Sequence, residues 1–107
     1  MKQLPQVSRD LLEAARIVEQ GWCQGSMMSP PDKFCLMGAI FRVADCSSHA
    51  ALMKVKLSQS LGLPSGAVLF GETHPVAAWN DAPERTQAEV VKALQDAAMK
   101  AAEEQGR

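Results

Sequence analysis

One stretch of this chain, residues 34–44, constrains the fold more than any other part of the sequence. It reads Phe-Cys-Leu-Met-Gly-Ala-Ile-Phe-Arg-Val-Ala, and Arg42 is its only charged residue. Apolar positions therefore run around the whole circumference of a helix, and a helix of that kind is buried on all sides. We predict a central helix that starts after Ser29 or Asp32, ends near Asp45 and is covered by the other helices.

Two further helices are predicted on either side of this stretch from apolar residues at helical spacing. The first begins at Ser8, and Gly21 is its natural stop. The other is capped by Ser47 or Ser48 and ends at Gly62, because a glycine followed by a hydrophobic residue and a proline is a strong helix stop. Its core-facing residues are predicted to be Ala50, Met53, Leu57 and Leu61, with Leu52 and Val55 widening the apolar stripe.

The last predicted helix begins near Thr86, where Thr86 and Glu89 fit a Thr-x-x-Glu capping box. Its apolar face is rich in alanine, and small residues there predict the close approach of a neighbouring helix. The same face would also serve in a homodimer.

Residues 65–85 are predicted to be an irregular connection. Within it, residues 67–70 are either a short extended segment or a buried turn of helix, because periodicity cannot decide between them over so few positions. Residues 74–79 are expected to form one helical turn, closed by Asn80 and Asp81. The fold expected for residues 1–107 is therefore all-α: a compact single-domain bundle of about four helices around the buried central helix.

Composition narrows the classes of function. A chain of 107 residues with a formal net charge of −1 offers no basic surface for phosphate contacts, so nucleic-acid binding is not expected. The longest apolar run is far shorter than the roughly 20 residues of a membrane span, and the N-terminus lacks the apolar centre of a signal peptide. Three cysteines, an odd number, indicate reduced thiols. We therefore expect a cytoplasmic protein without membrane contact.

Cys35 is the cysteine that suggests catalysis. A thiol at a helix N-terminus can be activated by the helix dipole, and His74 and then Asn80 follow in the chain order of a papain-type Cys–His–Asn hydrolase. The other interpretation is an inert cysteine in a helix core. We favour it, because Cys35 would lie past the first turn of a helix that starts at Pro30.

A zinc site would need four ligands, and the candidates are Cys23, Cys35, Cys46 and His49. Structural zinc sites usually take their ligands from closely spaced Cys-x₂₋₄-Cys pairs, whereas these cysteines are far apart in the sequence. Cys46 and His49 more simply flank the start of a helix. We expect no metal site and no cofactor.

Aromatic and methionine residues near turns are the candidates for contact with another protein. Trp22 and Trp79 could anchor in a groove of a partner, or each could hold a loop on the core by donating its indole N–H to a backbone carbonyl. Flexible methionines in a loop suit adaptable binding surfaces. The predicted binding residues are Trp22, Gln24, Met27, Met28, Trp79 and Asp81.

Four short motifs, taken in their order and spacing, resemble a small family of proteins of unknown function found in bacteria and phages. They are Gly-Trp-Cys-Gln-Gly at 21–25, Cys-Leu-Met-Gly-Ala at 35–39, Trp-Asn-Asp at 79–81 and Thr-x-x-Glu-Val at 86–90. The resemblance covers nearly the whole chain. It implies a compact helical domain whose common core is formed by the two tryptophan turns and the Cys-x-x-Gly-Ala helix. It implies no activity, and His74 lies in no part of the pattern.

Small size, near-neutral charge and the lack of a recognisable catalytic motif favour a non-enzymatic protein-interaction module. We expect a phage-type accessory protein or inhibitor that docks on a larger protein partner, with the chain itself a monomer or a homodimer. The alternative is a cysteine-dependent hydrolase that uses Cys35 and His74, with Asn80 as the third member.

Overall fold

The described part of the chain is almost entirely helical. The structure, a computed structural model, describes residues 4–25, 28–29, 33–63 and 75–105. These residues form five α-helices and one small sheet: α1 (Gln6–Gln20), β1 (Met28–Ser29), β2 (Lys33–Phe34), α2 (Leu36–Val43), α3 (Ser47–Leu61), α4 (Pro75–Asn80) and α5 (Gln87–Gln105). The all-α prediction is confirmed, while the prediction for residues 67–70 lies outside the described residues. None of the described helices is both long enough and apolar enough to cross a bilayer.

The first and last helices form the most extensive helix pair of the fold. Ser8 on α1 is fully buried, and its hydroxyl donates to the backbone carbonyl of Ala98 on α5 over 2.7 Å. Alanines from both helices, Ala14 and Ala15 on α1 and Ala97 on α5 among them, are buried in the core. The alanine face of α5 therefore packs inside the chain, as its small residues predict, and is not available for a homodimer.

The other long helix, α3, packs against the α1–α5 pair, and α2 closes the core on the side of α1. Met53 and Leu57 of α3 and Leu36 and Ile40 of α2 are all fully buried. A single apolar cluster therefore joins the four longest described helices.

The prediction that residues 34–44 form a helix buried on all sides is wrong. Phe41 is 42% exposed and Arg42 is exposed, whereas only one side of α2 faces the core. The helix has eight residues, and its apolar composition reflects two different environments: contact with α1 on one side and open surface on the other. The centre of the molecule is the α1–α5 pair.

The start of α2 is later than predicted because Phe34 is extended. Its N–H donates to the Gly21 carbonyl over 3.0 Å, and its own carbonyl accepts from the Cys23 N–H at 3.3 Å. β1 and β2 pair antiparallel, with Met28 opposite Phe34. These bonds use the backbone of Phe34 before a helix can begin, so Cys35 becomes the N-cap of α2.

Several helix ends agree with local signals. Gly62 ends α3 in the left-handed conformation with φ +73°, and the Leu63 N–H donates to the Ser58 carbonyl over 2.8 Å, as in a Schellman motif. At the start of α5, the Thr86 N–H donates to Glu89 Oε1 over 2.9 Å while the Glu89 N–H donates to Thr86 Oγ1 over 3.2 Å. The predicted stop and the predicted capping box are both confirmed.

Other helix ends differ from prediction by one or two residues. α1 begins at Gln6, so Ser8 lies within the helix, where its hydroxyl bonds to α5 rather than capping α1. Gly21 follows α1 as predicted, but its backbone is extended rather than left-handed. The N-cap of α3 is Cys46, and Ser47 is the first helical residue.

Candidate functional site

The side chain of Asn80, at the end of α4, joins three separate segments of the chain. It is fully buried. Its Oδ1 accepts from the Trp22 indole N–H at 2.7 Å and from the Leu36 backbone N–H at 3.1 Å. Its Nδ2 donates to the Cys23 carbonyl at 3.2 Å and to Asp81 Oδ1 at 3.0 Å. A buried amide that uses both of its ends in this way fixes the segments relative to one another.

Gln24 and Gly25 extend these contacts. We call the whole set of hydrogen-bonded residues the Asn80 network. Gln24 Nε2 donates to the carbonyls of Asn80 and Ala82, each over 2.9 Å, which satisfies backbone groups at the end of α4. The Gly25 N–H donates to Asp81 Oδ1 over 3.0 Å, and Gly25 has φ +82°, a conformation that favours glycine. The members of the network are Trp22, Cys23, Gln24, Gly25, Leu36, Asn80 and Asp81.

Trp79 lies beside this network and is held from the other side by Arg85. The Arg85 guanidinium stacks 3.8 Å from the centroid of the Trp79 ring, and its Nε donates to the Trp79 carbonyl over 2.8 Å. Arg85 was not predicted as a site residue, because a single arginine beside a proline-containing turn carries no recognisable sequence signal. The stack indicates that the Trp79 ring has a structural partner within the chain.

The predicted binding residues therefore bring their polar groups into the fold. Trp22, Gln24 and Asp81 all bond within the Asn80 network, and the indole of Trp22 finds a side-chain acceptor rather than the expected backbone carbonyl. Met27 lies outside the described residues, and for Met28 only the backbone is described. Contact of these residues with a partner stays a prediction.

Cys35 is placed where a thiolate is disfavoured. Its side chain is only 5% exposed, and its Sγ accepts from the Gly38 N–H at 3.3 Å as the N-cap of α2. Burial raises the pKa of the Cys35 thiol, although the backbone N–H groups of Gly38 and Met37 act in the opposite direction. His74 lies outside the described residues. The amide of Asn80 is occupied by the network bonds given above, so it acts there as a structural group.

The remaining candidate metal ligands are used elsewhere or stand apart. His49 Nε2 lies 2.5 Å from Asp10 Oδ2, which connects α3 to α1. Cys46 is exposed at the start of α3. Among residues 4–25, 28–29, 33–63 and 75–105, no group of three or more His, Cys, Asp or Glu side chains is arranged to hold a metal ion.

Two of the grooves formed by described residues are open to solvent, and Cys35 lines neither of these two. The first, of about 460 Å³, lies between α1 and α2 and has opposite charges at its rim; it is lined by Glu13, Ile17, Gln20, Phe34, Arg42 and Val43. The second, of about 520 Å³, lies between the end of α1 and the start of α5, and its charged residues are Glu19 and Lys92. Neither groove brings the predicted Cys–His–Asn residues to a common opening.

The exposed side of α3 lacks the charged residues that are expected on a surface helix. Leu52 is 42% exposed and Val55 is 39% exposed. Within α3, all of whose residues are described, every exposed residue is uncharged: Ser47, Ser48, Ala51, Leu52, Val55 and Gln59. We call these six residues the α3 outer face. Water-facing helix surfaces normally carry charged side chains, and the exposed residues of this helix include none.

The ionisable side chains of α3 lie at half-buried positions and contact other helices of the chain. His49 pairs with Asp10 of α1, Lys54 Nζ lies 5.0 Å above the Phe41 ring of α2, and Lys56 Nζ lies 3.1 Å from Glu104 of α5. Each of the three therefore lies beside the outer face and leaves it free of charge.

The prediction that Leu52 and Val55 widen the core-facing stripe of α3 is wrong. Ala50, Met53 and Leu57 fill the core side of α3, and the helical turn places Leu52 and Val55 on the opposite side. One feature of the sequence did indicate this exposure. The apolar residues of α3 lie on two sides of the helix, whereas a single buried face needs them on only one.

A comparison with protein families adds one match. The model of a family described as "Family of unknown function (DUF6197)" matches residues 3–100, a range that begins before α1 and ends within α5. No curated protein and no solved structure matches the chain.

Proposed function

The chain belongs to the DUF6197 family of unknown function, and we propose that it is a non-enzymatic protein-interaction module that docks on a partner protein through the α3 outer face. The observation that carries this proposal is the composition of that face. Two large apolar side chains are exposed at its centre, Leu52 and Val55, and no charged residue is exposed anywhere along the helix. Contact between proteins removes such side chains from water, which is favourable.

The position of the charges supports the same proposal. The lysines that flank the α3 outer face already have partners within the chain, Lys54 on the Phe41 ring and Lys56 with Glu104. Docking on this face would therefore not leave the ammonium group of either lysine buried without a partner.

The α3 outer face tests this role better than the tryptophan turns do. Replacing Trp22 would remove its bond to the buried Asn80 side chain, so a loss of binding could reflect a changed fold. Leu52 and Val55 are exposed, and substitutions there leave the core intact. Trp22, Met27 and Met28 are proposed as secondary contacts.

The experiment is capture of partners from the native host with the tagged chain, compared between two exposed-residue variants. Leu52→Glu should reduce the recovery of a stoichiometric partner by about tenfold or more, because a hot-spot contact is worth at least 1.4 kcal/mol. Met99→Glu, at a position on α5 that is 58% exposed, is the matched control and should change nothing. Equal recovery with both variants and the unmodified chain would refute docking through α3.

A phage-type accessory or inhibitory role in the cytoplasm is the biological setting that we propose for this module. A formal net charge of −1 suits a protein that acts by docking rather than by binding nucleic acid. The larger partner should then change activity when the purified chain is added, and Leu52→Glu should abolish that change.

A further inference from the structure

We propose that the α3 outer face pairs with the same face of a second copy of this chain, so that two α3 helices pack antiparallel about a twofold axis. This inference rests on the proposed function, because it uses the same docking surface, for which a second copy and the larger partner would compete. The axis would pass between Leu52 and Val55. The spacing, the order and the charge of the residues on the face each support this pairing.

The spacing is that of a helix–helix seam. Ser48, Leu52, Val55 and Gln59 follow one another at intervals of four, three and four residues, and all four are exposed. Intervals of four and three keep residues on one line along a helix, as at the a and d positions of a coiled coil. The α3 outer face therefore presents a straight seam of about three turns with apolar residues at its centre.

The order of residues along the seam reads alike from either end. It runs polar, apolar, apolar, polar: Ser48, Leu52, Val55, Gln59. In an antiparallel pair centred between Leu52 and Val55, each Leu52 meets the Val55 of the other copy, and each Ser48 meets a Gln59. The apolar residues would meet at the centre and the groups able to hydrogen-bond would meet at both ends. A twofold interface requires this kind of self-complementary surface.

Charge does not oppose the pairing. In an isologous interface a charge near the twofold axis lies close to its own copy, and a charge farther along the seam is buried opposite an uncharged residue, so either would oppose pairing. No exposed charge is present along α3, and Lys56 beside the seam is already 3.1 Å from Glu104 of its own chain. The formal net charge of −1 leaves little long-range repulsion between two copies.

The interface would be small, so we expect a weak dimer at the micromolar end of protein–protein affinities. Sedimentation equilibrium from about 1 µM to about 1 mM spans that range. The weight-average mass should rise with concentration from 11.5 kDa toward twice that value. Leu52→Glu and Val55→Lys should each shift the monomer–dimer midpoint by about tenfold or more, because each places an unpaired charge at the centre of the seam.

The register is tested by combining the two substitutions. In the antiparallel arrangement, the double variant Leu52→Glu/Val55→Lys sets opposite charges against each other twice across the axis, so dimerisation should recover relative to either single variant. Met99→Glu should dimerise like the unmodified chain. Circular dichroism of each variant checks that the helices are retained.

Two results would overturn this inference. One is a mass of 11.5 kDa at every concentration; the other is dimerisation that Leu52→Glu and Val55→Lys leave unchanged, which would place the interface elsewhere. The capture experiment separates these results from the proposed function. If the chain is monomeric and Leu52→Glu still abolishes recovery of a different protein, the second copy is wrong as the partner and the docking surface stands. If Leu52→Glu changes neither property, both proposals fail.

Discussion

Asn80 is the residue on which the contact between α4, the 21–25 turn and the start of α2 depends. Replacing it by alanine leaves the Trp22 indole N–H, the Leu36 N–H and the Cys23 carbonyl without the partner they have now. We expect Asn80→Ala to lower the free energy of unfolding by about 3 kcal/mol, since buried groups left unsatisfied cost about 1–3 kcal/mol each. Urea denaturation followed by circular dichroism measures the loss.

Trp22→Phe provides the graded comparison. It removes one donor to Asn80 Oδ1, which keeps the Leu36 N–H, so the expected loss is about 1 kcal/mol. Gln95→Ala, at an exposed position of α5, should stay within about 0.5 kcal/mol of the unmodified chain. A loss below about 1 kcal/mol for Asn80→Ala would show that the network is not a stabilising feature.

The two cysteines Cys35 and Cys46 should differ in reactivity. Cys46 is exposed, whereas Cys35 is buried and its thiol has a raised pKa, so less of it is thiolate at neutral pH. With iodoacetamide at pH 7 and detection by mass spectrometry, Cys46 should be alkylated first and Cys35 should react only as the chain unfolds. Faster alkylation at Cys35 than at Cys46 would instead revive the hydrolase alternative with His74.

At the scale of single residues, the sequence indicated that Asn80 and Trp22 matter. It did not indicate which residues they contact. Asn80 stood out as a turn residue or a catalytic amide, and Trp22 as an anchor. The bond between their side chains spans 58 residues of sequence, and no local pattern reports such a distance. Side-chain hydrogen bonds between residues that are distant in sequence are therefore identified only from the folded structure.

At the scale of helices, the capping box of α5 makes a prediction about pH. The bond from the Thr86 N–H lowers the pKa of Glu89 below its ordinary value of 4.5, with Arg85 acting in the same direction. The folded state therefore binds this proton less readily than the unfolded state, so the contribution is complete above the ordinary pKa. It is lost as pH falls through the lower pKa of the folded state.

Glu89→Gln isolates this effect, because the amide oxygen can still accept from Thr86 but does not titrate. The difference in Tm between the unmodified chain and the variant should be constant near neutral pH and shrink as pH falls below about 4.5. Thermal melts followed by circular dichroism over that range measure it. A difference that does not change with pH would mean that the charge of Glu89 contributes nothing.

Some helix ends are predicted well from sequence and others are not. The difference is how far apart in the sequence the residues lie that determine each end. The stop at Gly62 and the box of Thr86 with Glu89 depend on residues at most five positions apart, so a local pattern contains all the information. The start of α2 depends on Phe34 bonding to Gly21, which is distant in the chain. Apolar composition alone could not show that Phe41 and Leu52 face outward.

At the scale of the whole molecule, the close contact of α1 and α5 depends on buried alanines. Ala97→Leu adds three carbons at a position that is 1% exposed, and overpacking of this kind costs about 1–3 kcal/mol. Ala88→Leu, the same change at an exposed position of the same helix, should alter stability by no more than about 0.5 kcal/mol. Urea denaturation of the two variants compares them directly, and equal stabilities would contradict the close packing.

The fold class was predictable from sequence because apolar residues at intervals of three and four, together with capping residues, indicate helices directly. The candidate site was not, since the α3 outer face is recognised by exposure. The sequence shows that Leu52 and Val55 are apolar. Only the burial of Met53 and Leu57 in the folded structure shows which side of α3 remains exposed to solvent.

The pairing of the first helix with the last has a consequence for how the protein is made. Ser8 and Ala98, bonded directly, are 90 residues apart, so α1 gains its most extensive packing partner only when α5 has emerged from the ribosome. Until α5 is made, part of the apolar face of α1 stays exposed on the growing chain, and chaperones and proteases can recognise such a segment.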